Sequence, residues 1–217
     1  AGESVKIRME FKANPKNNFR AFRYGILPPQ PTDSVADAAA LAADCDAVIL
    51  LVGTNDDWET EGNDREMLDL PGEQDRLIEE VIAANPNTAV VLISGSPLAM
   101  PWADKVPAIL ECWYPGLEGG NAIARTLFGD CNPCGKLPVT FPVRLEDSPA
   151  HASARTFPGD ARAVHYDEEL MVGYRHFDKR GIEPLFPFGH GLSYTEFRYS
   201  DLQLNRSEEH TSELQSP

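Results

Sequence analysis

An α/β fold, doubly wound around an open and mostly parallel sheet (an α/β sandwich), is what this sequence predicts, and three observations predict it. Short continuous apolar runs such as 47–52 (AVILLV) are of strand length and carry no alternation, as expected of parallel strands covered on both faces. Stretches with helical spacing separate these runs, and strand–helix alternation favours a parallel sheet. An apolar content of 42% in 217 residues is enough for a sizeable core.

Taken in order, residues 4–10 (SVKIRME) and 19–25 alternate as half-buried strands do, and Asn14-Pro15-Lys16-Asn17-Asn18 joins them. The pair predicts the end of a β-rich module, and Pro28-Pro29-Gln30-Pro31 interrupts the pattern as a linker does. Asp33 or Ser34 is placed to cap an Ala-rich helix over 35–43, and the run 47–52 is the first buried strand. Pro71 marks a helix start, with Leu77, Ile78, Val81 and Ile82 at helical spacing and Asn85-Pro86-Asn87 as its end. Residues 89–93 and 108–112 predict two further strands, and Gly119-Gly120-Asn121 opens a helix through Leu127 that closes at Gly129-Asp130.

Beyond Pro142 the pattern weakens. Residues 148–163 predict a long surface loop, 171–177 one more strand, and 184–194 (PLFPFGHGLSY) an ordered aromatic connector. Residues 197–204 alternate again, as at the opening of another β domain. The last twelve residues (RSEEHTSELQSP) read as an in-frame translation of a sequencing-library adapter and are set aside from the fold. The expected organisation is therefore a β-rich tail and linker at 1–30, the α/β domain at 31–182, a connector and β start at 183–205, and the adapter-like end at 206–217.

The balance of 19 Lys and Arg against 34 Asp and Glu, a formal charge of -15, argues against nucleic acid, whose phosphates are bound by cations that displace counterions. No apolar run approaches the roughly 20 residues that span a bilayer, so no membrane partner is expected. The first ten residues lack the look of a secretory signal, and the chain opens on Ala1 without an initiator Met. It therefore reads as a piece cut from a longer protein, and its compartment is not legible.

Four cysteines are present, and Cys131-Asn132-Pro133-Cys134 has a spacing used by zinc and redox sites. No second pair completes a ligand set, since His151 and His165 lie well downstream, so small turn residues are the preferred reading. Neither a metal nor a cofactor is expected.

Ligands of open α/β sheets gather at the carboxyl ends of the strands, which points to the loop 53–70 after the first buried strand. Its run GTNDDWETEGNDR holds five carboxylates, Trp58 and Arg65. A Trp offers a flat apolar face to a sugar ring, and crowded carboxylates raise one another's pKa toward the range of a general acid. The competing reading is a solvated acidic loop with Asp64 and Arg65 as a local ion pair. Phosphate-binding glycine motifs are absent, and Gly116-Leu117-Glu118-Gly119-Gly120 reads as a tight turn before a helix. Ser94-Gly95-Ser96-Pro97 follows a strand but lacks the G-x-S-x-G of a serine nucleophile, and His190 belongs with the aromatic connector. Acid/base chemistry is thus allowed by the residues without being specified by them.

Trp58-Glu59-Thr60-Glu61-Gly62-Asn63-Asp64-Arg65, followed by Leu68-Asp69-Leu70-Pro71-Gly72, resembles the acid/base loop of family 3 glycoside hydrolases. Further blocks follow in that family's order: Ser94-Gly95-Ser96-Pro97 with Pro101-Trp102, Trp113-Tyr114-Pro115-Gly116 with Glu118-Gly119-Gly120-Asn121-Ala122, Gly135-Lys136-Leu137-Pro138 with Thr140-Phe141-Pro142, Gly173-Tyr174-Arg175, and 186–194. The resemblance covers nearly all of 35–204.

The resemblance implies a retaining β-glycosidase, β-glucosidase-like, that cleaves O-glycosidic bonds with two carboxyl groups. A nucleophile Asp belongs to a preceding barrel domain that this chain lacks, so the fragment alone is expected to be inactive. The general acid/base carries over to Glu61, with Glu59 as the fallback, and Trp58, Asp64 and Arg65 as substrate contacts. The implied partners are a β-linked glucoside or oligosaccharide and the missing N-terminal barrel. Asn63 stands where relatives often carry Tyr or Phe, which puts the subsite contacts there in question. The resemblance also makes 1–24 the tail of a PA14-type insert and 197–205 the start of a fibronectin type III-like domain. The alternatives are a stand-alone carbohydrate-binding or regulatory α/β module and, behind it, a serine esterase.

Overall fold

The computed structural model describes residues 8–10, 25, 33–62, 65–160 and 162–203. The expected strands at 4–10 and 19–25, the linker at 28–31, Asp64 and the adapter-like end lie wholly or mostly outside them.

The first helix, α1 (Ser34–Ala43), starts where a side chain can satisfy its free amides. Asp33 accepts from the backbone N–H groups of Val35 and Ala36, both at 3.1 Å. Strand β1 (Val48–Gly53) follows, then helix α2 (Gln74–Ala84) and strand β2 (Thr88–Ile93). Pro71 precedes α2 by a turn rather than opening it, and its carbonyl accepts from the Gln74 amide at 3.0 Å. Strand β3 (Ala108–Glu111) is followed by helix α3 (Gly119–Leu127), with the boundaries the glycines foretell.

The three strands form one parallel sheet in the order β1-β2-β3, so β2 is central. This is the α/β class expected. The core explains why the apolar runs are continuous: Val90, Val91 and Leu92 of the central strand are fully buried. On one sheet face Val52, Val90 and Leu92 pack with Ile78 of α2 and with Leu98, Met100, Trp102 and Phe141. Trp102 is wholly buried, and its indole N–H donates to Asp75 at 2.8 Å, which satisfies the polar edge of an otherwise apolar ring.

Helices α1 and α2 are joined by polar groups as well as by packing. Arg76 of α2 reaches Asp33 at 2.6 Å, as well as Glu73 and Glu80 on its own helix. The Asn85 amide donates to the carbonyls of Ala42 and Cys45, tying the end of α2 to the end of α1.

The expected strand at 171–177 is corrected: a helix, α4 (Tyr174–Arg180), occupies that place. Gly173 at φ 55° turns the chain into it and Gly181, in the left-handed region at φ 64°, ends it, with Lys179 and Arg180 in the last turn. Those end signals outweigh a few residues of alternation. The stretch 197–203 carries no strand, and Phe197, Tyr199 and Leu202 are exposed.

The loop expected at 148–163 holds a short 3₁₀ turn (Pro149–Ala152) and is pinned by buried Thr156, whose hydroxyl donates to the Ala150 carbonyl at 2.7 Å. The aromatic connector is ordered, as its composition suggests. Phe141 and Phe186 exchange backbone hydrogen bonds in an antiparallel bridge, and Leu137 donates to the His190 carbonyl at 2.8 Å. Phe186 then packs on the core, with the His190 ring against it at 4.9 Å between centroids.

Candidate active site

The parallel register aligns the carboxyl ends of the strands. Gly53 pairs with Ile93, so Thr54 leaves β1 beside the loop that leaves β2. Two contacts fix the turn at Gly53. Its backbone N–H donates to the Gln74 side-chain oxygen at 2.8 Å, and its carbonyl accepts from the Gln74 amide at 2.9 Å. A Cβ at position 53 would overlap the Ile93 carbonyl, and φ there is 153°, so only glycine lets the strands approach at this point.

From that turn the chain enters the carboxylate-rich loop, and Glu59 lies at its centre. Its side chain is only 11% exposed. One carboxylate oxygen, Oε2, accepts from the Thr54 hydroxyl at 2.7 Å, the Gly95 backbone N–H at 2.6 Å and the Tyr114 hydroxyl at 2.5 Å. The other, Oε1, accepts from Arg65 Nη1 at 2.9 Å and from the Ser96 hydroxyl. Burial alone would raise this carboxyl's pKa, but the hydrogen bonds from Ser96, Tyr114, Thr54 and Gly95 outweigh it and hold the value at about 2. The expectation that crowding raises the carboxylates of this loop therefore fails at Glu59, because donors surround it rather than like charges.

Arg65 Nη1 also donates to the Ser96 hydroxyl at 2.7 Å, so its observed ion pair is with Glu59. Its Nη2 is buried and has no hydrogen-bond partner among the described residues. Glu61, two residues beyond Glu59, is exposed, and no described residue hydrogen-bonds its carboxylate. Trp58 is 42% exposed on the same loop. Of the expected site residues the structure thus joins Glu59 to Arg65, leaves Trp58 and Glu61 open to solvent, and does not describe Asp64.

Sequence reasoning missed Thr54, Ser96, Tyr114 and Glu111 as members of this cluster. The available signal was position, since each lies at or just past the carboxyl end of a strand. Glu111 ends β3 and accepts the Trp113 backbone N–H at 2.8 Å. Burial pushes its pKa up to about 7, helped by the charge of Glu59 and opposed by the Trp113 and Ser94 hydrogen bonds. Trp113 has φ 51°, and the turn it makes brings Tyr114 back over Gly95 to Glu59. Burial and the Glu111 charge push the neighbouring Cys112 thiol up to about 11, far from the thiolate a nucleophile needs. Cys131 and Cys134 are free thiols, half-buried and exposed respectively.

Residues 4–194 match the glycosyl hydrolase family 3 C-terminal domain. The chain belongs to glycoside hydrolase family 3. A β-glucosidase of Rhizobium radiobacter is 48% identical over 213 residues, covering 96% of this chain and 26% of that protein. The probable β-glucosidase I of Aspergillus terreus is 45% identical over 215 residues, covering 94% of this chain and 25% of the relative. This family 3 chain thus spans about a quarter of the length of the curated relatives it matches.

Solved structures agree. A β-glucosidase from Kluyveromyces marxianus superposes with a TM-score of 0.78 at 42% identity, over 83% of this chain and 22% of that one. The β-glucosidase DesR from Streptomyces venezuelae, solved in complex with D-glucose, gives 0.77 at 43% identity over 81% of this chain and 22% of that one. The family 3 α/β domain is therefore the frame in which the loop after β1 has to be understood.

Proposed function

We propose that this chain is the α/β part of a retaining β-glucosidase and that Glu61 is its general acid/base. The observation that carries the reading is the division of labour between two carboxylates on one loop. A general acid must hold a proton near neutral pH and give it to the leaving oxygen. Glu59 is ill suited to that, because five donors saturate its oxygens and its pKa is held at about 2. Glu61 is free of such bonds among the described residues and is exposed. It also occupies the place in Glu61-Gly62-Asn63-Asp64-Arg65 that resembles the family's acid/base.

In this reading a β-linked glucoside lies over the loop, with the exposed face of Trp58 packing against a sugar ring and Asp64 as a polar contact. Arg65 contributes through the loop it anchors, since its Nη1 is committed to Glu59 and Ser96. The nucleophile Asp comes from a barrel domain outside this chain, and attack on the anomeric carbon forms a glycosyl-enzyme that water, activated by Glu61, then hydrolyses. The chain alone would accordingly not turn over glycosides. Residues 1–30 as the tail of a PA14-type insert with its linker, 31–182 as the α/β domain and 183–205 as a connector into a fibronectin type III-like domain belong to the same proposal.

Substitution of Glu61 by Gln in the full-length enzyme tests the assignment. Turnover of alkyl β-glucosides, whose leaving groups need protonation, is expected to fall about 100-fold or more, while glycosylation by activated aryl glucosides stays near wild type. Equal, undiminished rates on both substrates would remove Glu61 from the role.

A further inference from the structure

We propose that Glu59 is a positioning residue, which binds the exits of all three strands to the loop that carries Glu61 and so sets where the acid/base stands. The inference rests on the assignment of Glu61 as acid/base and extends it.

The geometry is that of a hub. Thr54 comes from the exit of β1, Gly95 and Ser96 from the exit of β2, Tyr114 from the exit of β3, and Arg65 from the far side of the same loop. A carboxylate offers about four lone-pair sites, so five donors leave neither oxygen free. The site is also built without slack. A Cβ at Gly95 would come within 2.8 Å of the Tyr114 ring and 2.9 Å of Glu59 Oε2, so that the Gly95 N–H reaches the carboxylate because no side chain stands in the way. Arg65 and the Thr54–Tyr114 hydroxyl contact, at 2.8 Å, close the ring of bonds around it. Glu61 lies two positions beyond this hub, with only Thr60 between them, so the anchored backbone at Glu59 sets where the acid/base side chain starts. Misplacement of a catalytic group by about 1 Å can cost 100-fold in rate.

A residue that merely stabilised the fold would leave the kcat of the folded enzyme untouched, whereas Glu59 acts on Glu61 through its position. The test uses the full-length enzyme carrying Glu59→Gln, Tyr114→Phe or Glu61→Gln, with kcat and KM measured on an alkyl β-glucoside, and azide rescue on an activated aryl glucoside. For Glu59→Gln the expected result is a kcat lowered about 10- to 100-fold with KM within about threefold of wild type. Tyr114→Phe removes one donor from the hub and is expected to give a smaller fall in kcat with KM likewise held, which keeps the test available if Glu59→Gln does not fold. An undiminished kcat in a folded Glu59→Gln enzyme, or in Tyr114→Phe if Glu59→Gln does not fold, would overturn the inference. So would azide rescue of Glu59→Gln, which would make Glu59 the acid/base itself. Undiminished activity of Glu61→Gln defeats the acid/base assignment separately, so the two failures are distinguishable.

Discussion

Glu111 ends β3 with a half-buried carboxyl whose firmest partner is the Trp113 N–H at 2.8 Å, the Ser94 hydroxyl lying farther off at 3.4 Å. Its folded-state pKa of about 7 lies above the ordinary value of 4.5, so the native protein holds this proton more tightly than the unfolded chain does. The stabilisation is fully present below about pH 4.5 and is lost as the pH rises through 7. Glu111→Gln keeps an oxygen to accept from Trp113 and should match wild type at pH 4, then exceed it by on the order of 2 kcal/mol at pH 8 in urea unfolding. Glu59 has the opposite sign. Its pKa of about 2 lies below 4.5, so its contribution is present above pH 4.5 and is lost as the pH falls toward 2. The stability gap between wild type and Glu59→Gln should therefore be widest at neutral pH and close toward pH 2, measured by the same unfolding curves. Neither residue was legible as what it is. Composition shows that carboxylates crowd the loop, but whether donors or charges surround each one depends on Ser96 and Tyr114, which arrive from 37 and 55 residues away.

The elements themselves were largely legible, because local chemistry specifies them. Asp33 ahead of an Ala-rich run and Gly119 ahead of another both mark helix starts that the structure places within a residue of expectation. The continuous runs at β1 and β2 became parallel strands for the reason their lack of alternation suggests. The failure at α4 is instructive, since seven residues of mixed pattern are too few to decide a period, while the glycines at 173 and 181 held the better signal. The junction of β1 with the site loop depends on Gly53. Gly53→Ala would drive a Cβ into the Ile93 backbone and should cost at least about 2 kcal/mol in urea unfolding, together with loss of the Gln74 clamp. Ile78→Ala, by contrast, empties a fully buried position under the sheet without touching the site. It should cost about 2–5 kcal/mol in urea unfolding, while leaving the KM of the full-length enzyme unchanged.

At the scale of the whole molecule, the carboxyl edge of the sheet gathers what three separate stretches of chain supply, and the connector behind it packs Phe186 onto the same core as Trp102 and Phe141. On the loop after β1, Glu59 is bound by its neighbours, while Glu61 has no hydrogen bond among the described residues. The chain covers about a quarter of its relatives' length, and the proposed nucleophile belongs to the remainder. Position 61, as proposed, supplies the acid/base of a retaining enzyme. The most direct measurement is turnover of an activated aryl β-glucoside by full-length Glu61→Ala, with and without sodium azide. Slow turnover that azide accelerates at least about 10-fold is expected, with β-glucosyl azide as the product, because a small anion can attack the glycosyl-enzyme without a general base. Wild-type turnover without azide, or a slow enzyme that azide neither accelerates nor converts to glucosyl azide formation, would contradict it.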